Sequence, residues 1–378
     1  MGVCWSWEPS VFGRCASVFP LFAVAAFAGD ARSFPVQYWD LPGGSHIAHV
    51  HYPGIGPHQP DPVIFLHGGP GGYLVDHPQA ADRFYESVAR LGFDVYLYDQ
   101  IGSGRSARLS DPRQYTVDRH IRDLEAIRRM VRAQRMILVG DSWGASLAAN
   151  YIAQHPDRCA KAIFSGPGAI SGDLPSDTYD DAPMVRAAEA WFAALFAQPR
   201  YRPMGDIRNA DIPALYRTLP DREMDPPFDA FVQRTLPFLV CDPGRLPSDA
   251  AAFPGMGWWA NLMTSADFRQ RPGNPRPRLA QMRSPVLILR GGCDYLRWEV
   301  AYQYKTAFPN STLIYVPEAG HAFGYDQPGI YSEAVRAFLL DRPLPVAPYT
   351  GSAAPPRVPP RAATPPAGNR SRSPGGPA

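Results

Sequence analysis

The sequence predicts a three-layer α/β fold, in which a mostly parallel sheet is covered by helices and interrupted by one insertion. Three observations carry this. Short apolar runs rich in Val, Ile, Leu and Tyr alternate with helix-period segments between about 33 and 342. One of those runs, MILVGD, passes straight into a glycine-flanked serine and a helix-forming stretch, GDSWGASLAANYIA. The alternation then breaks between about 167 and 281, where Pro, aromatic and acidic residues accumulate.

Residues 1–32 precede the alternating part. Arg14 stands before CASVFPLFAVAAFAG, an apolar stretch too short to span a bilayer that ends in Ala26-Phe27-Ala28, a fit to an A-x-A cleavage site. Against a signal peptide, the leading MGVCWSWEPSVFG has no positive side chain before Arg14 and contains Glu8. The segment therefore reads either as an export signal, giving a secreted or periplasmic protein, or as a disordered leader of a cytoplasmic one. No run is long enough for a stable membrane span.

Residues 33–166 form the first part of the core. Buried strands are predicted at 62–69, 93–100, 136–142 and 160–166, since parallel strands covered on both faces read as continuous apolar runs. From Thr116 a helix carries Val117, Ile121, Leu124, Ile127 and Val131 on one stripe, and a second helix follows the serine and stops at Pro156. Residues 167–281, with the helical run APMVRAAEAWFAALFAQ, are expected to be a cap over the carboxyl ends of the strands, where open α/β sheets bind ligands. Residues 282–342 return to the core with strands at 285–292 and 311–318 and a last helix, PGIYSEAVRAFLLD. Residues 343–378 are so rich in proline and so poor in apolar side chains that a disordered tail is expected.

Composition excludes several classes. With 378 residues, 45% of them hydrophobic, the chain can bury a large core, and a net charge of +2 without basic clusters leaves no surplus for nucleic acid. The cysteines, Cys4, Cys15, Cys159, Cys241 and Cys293, are odd in number and scattered, without C-x-x-C spacing or a nearby histidine pair. They read as isolated thiols, and neither a disulfide framework nor a zinc site is expected.

G-x-S-x-G alone is a weak pattern, but between a strand and a helix it describes a nucleophile elbow that presents Ser142 at the tip of a sharp turn. A serine hydroxyl needs a histidine to take its proton and a carboxylate to orient that histidine. In this architecture the partners follow in the order Ser, acid, His. Asp294 ends the strand PVLILRGGCD and His321 lies in AGHAFG just after STLIYVP, which brings both to the same sheet edge as the elbow. His46, His49, His51, His155 and His120 read as surface or structural, and Asp326 and Glu318 remain alternative acids close to His321 in sequence. The tetrahedral intermediate also needs an oxyanion hole. FLHGGPGG, residues 65–72, offers a backbone N–H at Gly69, and Trp143 follows the nucleophile; His67 reads as a brace for that loop. Gly102-Ser103-Gly104 in DQIGSGRS lacks the remainder of a dinucleotide or P-loop fingerprint and reads as a tight turn.

Taken together, HGGPGG, DQIGSGRS, GDSWGASLA, the Asp294 strand end and GHAFG resemble the prolyl aminopeptidase (proline iminopeptidase) group of the α/β-hydrolase fold, whose usual forms are HGGPGG, DQRGxGxS and GGSWGxxLA. The resemblance implies an α/β-hydrolase fold with an inserted, mainly helical cap, and a serine hydrolase that removes N-terminal residues from peptides using Ser142, Asp294 and His321. It implies no metal and no organic cofactor. The cap departs from the group's pattern: the glutamates that hold the substrate's amine do not map onto AEAWFAALFAQ or GMGWWANLMTS. Glu189, Glu223, Asp225 and Asp229 are candidate carboxylates, and Trp191, Trp258 and Trp259 line either a pocket or the cap's own core. The expected partner is a short peptide or another small molecule. Alternatives are an esterase, lactonase or acyl-transferring tailoring enzyme, and a ligand-binding protein that keeps the fold without the chemistry.

Overall fold

Eight strands form one sheet: β1 (Gln37–Asp40), β2 (His46–Tyr52), β3 (Val63–Leu66), β4 (Val95–Tyr98), β5 (Met136–Asp141), β6 (Cys159–Ser165), β7 (Val286–Gly291) and β8 (Ser311–Val316). Their spatial order is β1-β2-β4-β3-β5-β6-β7-β8. The pairs β1–β2 and β2–β4 are antiparallel and the rest parallel. The computed structural model describes residues 34–77, 81–174, 177–207, 210–246 and 254–361. The leader expected at 1–32 and the tail beyond 361 lie outside the described residues.

Strands β3, β5 and β7 are buried along their whole length, as their predominantly apolar sequences require in a sheet covered on both sides. One face packs against α2 (Val117–Met130) and α3 (Trp143–Gln154); the other packs against α1 (Asp82–Ala89) and, near the C-terminus, a helix over Pro328–Leu339. Thr116 caps α2 by accepting the Arg119 N–H at 3.2 Å, and the stripe Val117, Ile121, Leu124 and Ile127 is buried. Helix α3 is apolar around its whole circumference and buried from Trp143 to Ala153, so it sits between the sheet and the insertion.

In the insertion lie α4 (Pro183–Ala197), α5 (Ile212–Thr218), α6 (Asp221–Thr235) and α7 (Trp258–Gln270), followed by a short turn of helix at Arg276–Leu279. Phe192, Phe228, Phe231 and Trp258 give this cap its own aromatic core. No helix among the described residues is long and apolar enough to cross a membrane.

Two expectations need correction. Cys241 and Cys293, read from sequence as separate thiols, are joined in a disulfide across 52 residues; Cys159 stays a buried thiol. The tail expected to be disordered from 343 is placed against the body as far as Arg361. Its few non-proline donors supply the reason: the Tyr349 N–H pairs with Leu313 O of edge strand β8 at 2.7 Å, Val358 N–H with Gly292 O at 3.2 Å, and Arg361 N–H with Cys241 O at 2.7 Å. Proline removes donors but leaves carbonyls and a stiff, extended chain, and the three well-spaced N–H groups are joined by ion pairs of Arg357 with Asp181 and Arg361 with Asp242 and by the contact of Tyr349 with Trp298.

Candidate active site

Ser142 occupies the turn between β5 and α3 at φ 51°, ψ −118°, a left-handed conformation that a non-glycine residue holds only under strain. The two flanking glycines explain how the turn closes. A Cβ on Gly140 would lie 2.6 Å from the backbone of Gly144 and Ala145, and a Cβ on Gly144 would lie 2.1 Å from Leu66 O at the end of β3. Neither position has room for a side chain. The close approach also sets the end of β3, and hence the loop carrying Gly69, directly beside Trp143 at the first turn of α3, whose N–H groups have no partner within the helix.

That loop is held from below. Gln100 donates its backbone N–H to His67 Nε2 at 2.9 Å and its side-chain amide to His67 O at 3.1 Å, while its carbonyl accepts the Trp143 indole N–H at 2.9 Å. With Nε2 accepting, His67 carries its proton on Nδ1, which donates to Gly68 O at 2.8 Å. Burial keeps this imidazole neutral, lowering its pKa to about 4. His67 is therefore a brace. The DQIGSGRS segment is a structural turn: Asp99 accepts the N–H groups of Leu74 (2.6 Å), Val75 (2.9 Å) and Arg105 (2.8 Å), although burial still pushes its carboxyl up to about 6.

Asp294 follows β7, and His321 lies in the loop after β8. His321 Nδ1 and Asp294 Oδ1 are 2.9 Å apart, and both side chains are fully buried. Oδ1 also accepts the Leu296 N–H at 3.0 Å, and Oδ2 forms an ion pair with Arg290, whose guanidinium donates to Leu296 O at 2.6 Å. Burial pushes the Asp294 carboxyl up, but the positive charge of Arg290 and the contact with His321 outweigh it and hold it below the ordinary range. An ionised Asp294 fixes the imidazole proton on Nδ1 and leaves Nε2 as an acceptor.

His321 Nε2 and Ser142 Oγ are both buried and both lack a hydrogen-bond partner. Their two residues adjoin the same turn, at 165–168. The Ser142 N–H donates to Ser165 O at 3.0 Å, the Gly168 N–H donates to Ser142 O at 2.9 Å, and a Cβ on Gly166 would lie 2.7 Å from His321 O and 3.2 Å from its Nδ1.

The competing candidates fall elsewhere. Asp326 accepts the N–H groups of Gly320 and Cys241, each at 2.7 Å, so it anchors the histidine loop; Glu318 is exposed. His46 and His51 pair with Asp40 and Asp94, and His49 stacks on Trp39. His155 caps the end of α3. His120 lies on the buried side of α2, against Thr264 of α7 at 3.1 Å, rather than on the polar face of its helix.

In the cap three of the four candidate acids have other partners. Arg108 binds Asp225 through Nε (3.2 Å) and Nη2 (3.0 Å), and the Trp258 N–H adds a bond at 2.9 Å; burial nevertheless raises the Asp225 carboxyl to about 7. Asp229 accepts the N–H groups of Gly255 (3.0 Å) and Met256 (2.9 Å). Glu223 is ion-paired with Arg200, and Glu189 is exposed. None of the four hydrogen-bonds or ion-pairs with Ser142, Asp294 or His321. Trp258 and Trp259 belong to the cap core, the Trp259 indole donating to Leu219 O at 2.8 Å, and Trp191 is half-buried beside Phe231. Among the described residues no three His, Cys, Asp or Glu side chains are grouped to hold a metal ion.

Sequence reasoning missed Arg290 and Gln100. A signal for the first was present, because an arginine inside PVLILRGG, an otherwise apolar buried strand, must find a carboxylate. Gln100 carried no such signal.

The alpha/beta hydrolase fold family model matches residues 61–328, and the chain belongs to that family. A probable proline iminopeptidase from Leptolyngbya boryana is 28% identical over 310 residues, covering 76% of this chain and 89% of that protein. A proline iminopeptidase from Elizabethkingia meningoseptica is 23% identical over 292 residues, covering 74% and 89%. The chain is thus similar to proline iminopeptidases over most of its length. Among solved structures, an esterase from Exiguobacterium antarcticum aligns with a TM-score of 0.54 at 16% identity, over 80% of this chain and 99% of that one, a likeness of fold.

Proposed function

We propose that the protein is a serine hydrolase acting through an acyl-enzyme, with Ser142 as nucleophile, His321 as proton shuttle and Asp294 as its orienting carboxylate. The observation that carries this reading is the pairing of an ionised Asp294 with His321 Nδ1, which leaves a buried, partnerless Nε2 on a residue that adjoins the same turn, 165–168, as Ser142, whose Oγ is likewise buried and partnerless. In the proposed cycle His321 Nε2 takes the proton as Ser142 Oγ attacks the carbonyl. The N–H groups of Gly69 and Trp143 receive the charge that develops on the carbonyl oxygen, and His321 then protonates the leaving group. Water repeats the sequence and releases the acid. Because both reacting groups are fully buried, substrate entry requires displacement of the cap. A fluorophosphonate probe tests the chemistry: covalent labelling that disappears in Ser142→Ala supports it, and a folded wild type that is not labelled favours a pure ligand-binding protein.

For the substrate, the kinship with proline iminopeptidases supports release of an N-terminal residue from a short peptide or amide. A second reading, hydrolysis of an uncharged ester or lactone, is favoured by the cap, where Asp225 and Glu223 are already paired with arginines and Asp229 is engaged by backbone donors, which leaves the exposed Glu189 as the remaining candidate for an ammonium group. Comparing kcat/KM for prolyl and N-acetylprolyl arylamides with that for a p-nitrophenyl ester separates the two. A large preference for the free amine supports the peptidase, and ester turnover alone supports the second reading.

A further inference from the structure

The residues immediately before the catalytic acid and base candidates are both tied to one short segment, 239–242, within the insertion between α6 and α7. On one side, Cys241 is bonded to Cys293, the neighbour of Asp294. On the other, Asp326 Oδ2 gathers the N–H of Cys241 and the N–H of Gly320, the neighbour of His321, each at 2.7 Å, and Oδ1 takes the Asp242 N–H at 3.1 Å. The Ala322 N–H donates to Leu239 O at 2.8 Å, which completes the grip on the histidine loop. The tail then closes over the outside: Val358 pairs with Gly292, which precedes Cys293, and Arg361 with Cys241 itself, its guanidinium reaching Asp242 at 3.0 Å.

We propose that Cys241 and Cys293 are a positioning pair, whose covalent link fixes the separation of Asp294 from His321 and makes the rate of the chemical step depend on the redox state of the disulfide. The disulfide ties the loop after β7 to the segment 239–242, which in turn holds the loop after β8 by hydrogen bonds, and the two loops otherwise meet here through the Cys293 N–H on Ala319 O at 3.0 Å; a misplacement of about 1 Å in a catalytic array costs on the order of a hundredfold in rate. Opening the link takes two electrons and two protons. A dithiol supplies both and is itself oxidised to a cyclic disulfide, leaving two cysteine thiols in the protein; the link re-forms where the surroundings are oxidising.

The inference rests on the serine-hydrolase reading, and fluorophosphonate labelling rate together with hydrolysis of the best substrate separates its failure from that of the reading. Treatment with excess dithiothreitol, followed by thiol counting to establish that two new thiols have appeared, is expected to lower kcat and the labelling rate by between about tenfold and a hundredfold, with KM little changed and activity regained on reoxidation. Cys241→Ser/Cys293→Ser is expected to sit at the reduced level and to ignore the dithiol, and a variant ending at Arg342 is expected to be reduced faster because the covering strands of tail are gone. Full reduction of a folded wild type without change in kcat overturns the proposal, as does an equal response of KM and kcat. Absence of Ser142-dependent labelling in the oxidised protein overturns the catalytic reading and this proposal with it.

Discussion

At the carboxyl edge of the sheet, the polar groups around Ser142 are held by main-chain atoms and by partners close in sequence. Asp294 finds Arg290 four residues earlier and Leu296 two residues later, and His321 reaches it across 27 residues. In the cap the pairing runs the other way: Asp225 is neutralised by Arg108, 117 residues upstream and outside the insertion. The first region is constrained by what a strand-turn-helix can accommodate, so its residue types follow from local geometry. At Asp225 the second is constrained by what two surfaces present to each other, while Glu223 and Asp229 find Arg200 and the N–H groups of Gly255 and Met256 within the insertion itself.

The proposed triad is where this contrast breaks most easily. His321→Ala is expected to lose roughly a millionfold in kcat and Asp294→Asn about ten-thousandfold, the latter because the amide no longer fixes the Nδ1 tautomer. Both are read as kcat on the best substrate, with folding checked by circular dichroism. A loss below about tenfold in either would remove the assigned roles. Gln100→Ala comes next. It deletes at once the bond to the Trp143 indole and the bond to His67 O, so both proposed oxyanion donors loosen, and kcat is expected to fall by about tenfold to a hundredfold with KM nearly constant. A change confined to KM would place Gln100 in substrate binding instead.

How much of this was open to sequence reading follows from the same contrast. The elbow, the strand ends carrying Asp294 and His321, and the bracing role of His67 could be read because apolar runs locate strand ends and glycines mark close approaches; the collision awaiting any Cβ on Gly144 is the physical content of the motif. The disulfide could not, since Cys241 and Cys293 share no spacing pattern and meet only when the stretch between α6 and α7 folds onto the loop after β7. Proline content misled at the tail because composition counts donors without regard to where they fall, and Tyr349, Val358 and Arg361 fall where acceptors are waiting. Of the cap acids, Asp225, Glu223 and Asp229 turn out to be partners of Arg108, Arg200 and backbone amides, which the composition of the cap gave no means of foreseeing.

Glu189→Gln sharpens the comparison from the cap side. As an exposed acid outside any ion pair with the site, it is expected to leave kcat/KM on free-amine substrates within about twofold, the scale of an ordinary surface substitution. A loss of about tenfold or more, restricted to substrates with a free amine, would show that cap motion brings this carboxylate to the ammonium group and would restore the peptidase reading at that residue.

The smallest effect expected is one of stability, and it asks what holds the elbow helix in place. Glu125 on α2 binds Arg128 at 2.7 Å and Arg129 at 3.0 Å and accepts the Tyr151 hydroxyl of α3 at 2.9 Å. The hydrogen bond with Arg128 is the main cause of a carboxyl pKa lowered to about 2; partial burial opposes it, and the hydrogen bonds from Tyr151 and Arg129 add to the lowering. Between that value and the ordinary carboxylate range the unfolded chain binds more protons than the folded one. The stabilisation is therefore complete above about pH 4.5 and is lost as pH falls towards 2. Glu125→Gln is expected to lower Tm by a few degrees at pH 7, with the gap from wild type narrowing through that acid window while kcat at 25 °C stays unchanged. If the gap persists undiminished at the acid end, the contribution comes from packing of the side chain rather than from its charge, and α3 is held to α2 chiefly by the buried stripe of Ile121, Leu124 and Ile127.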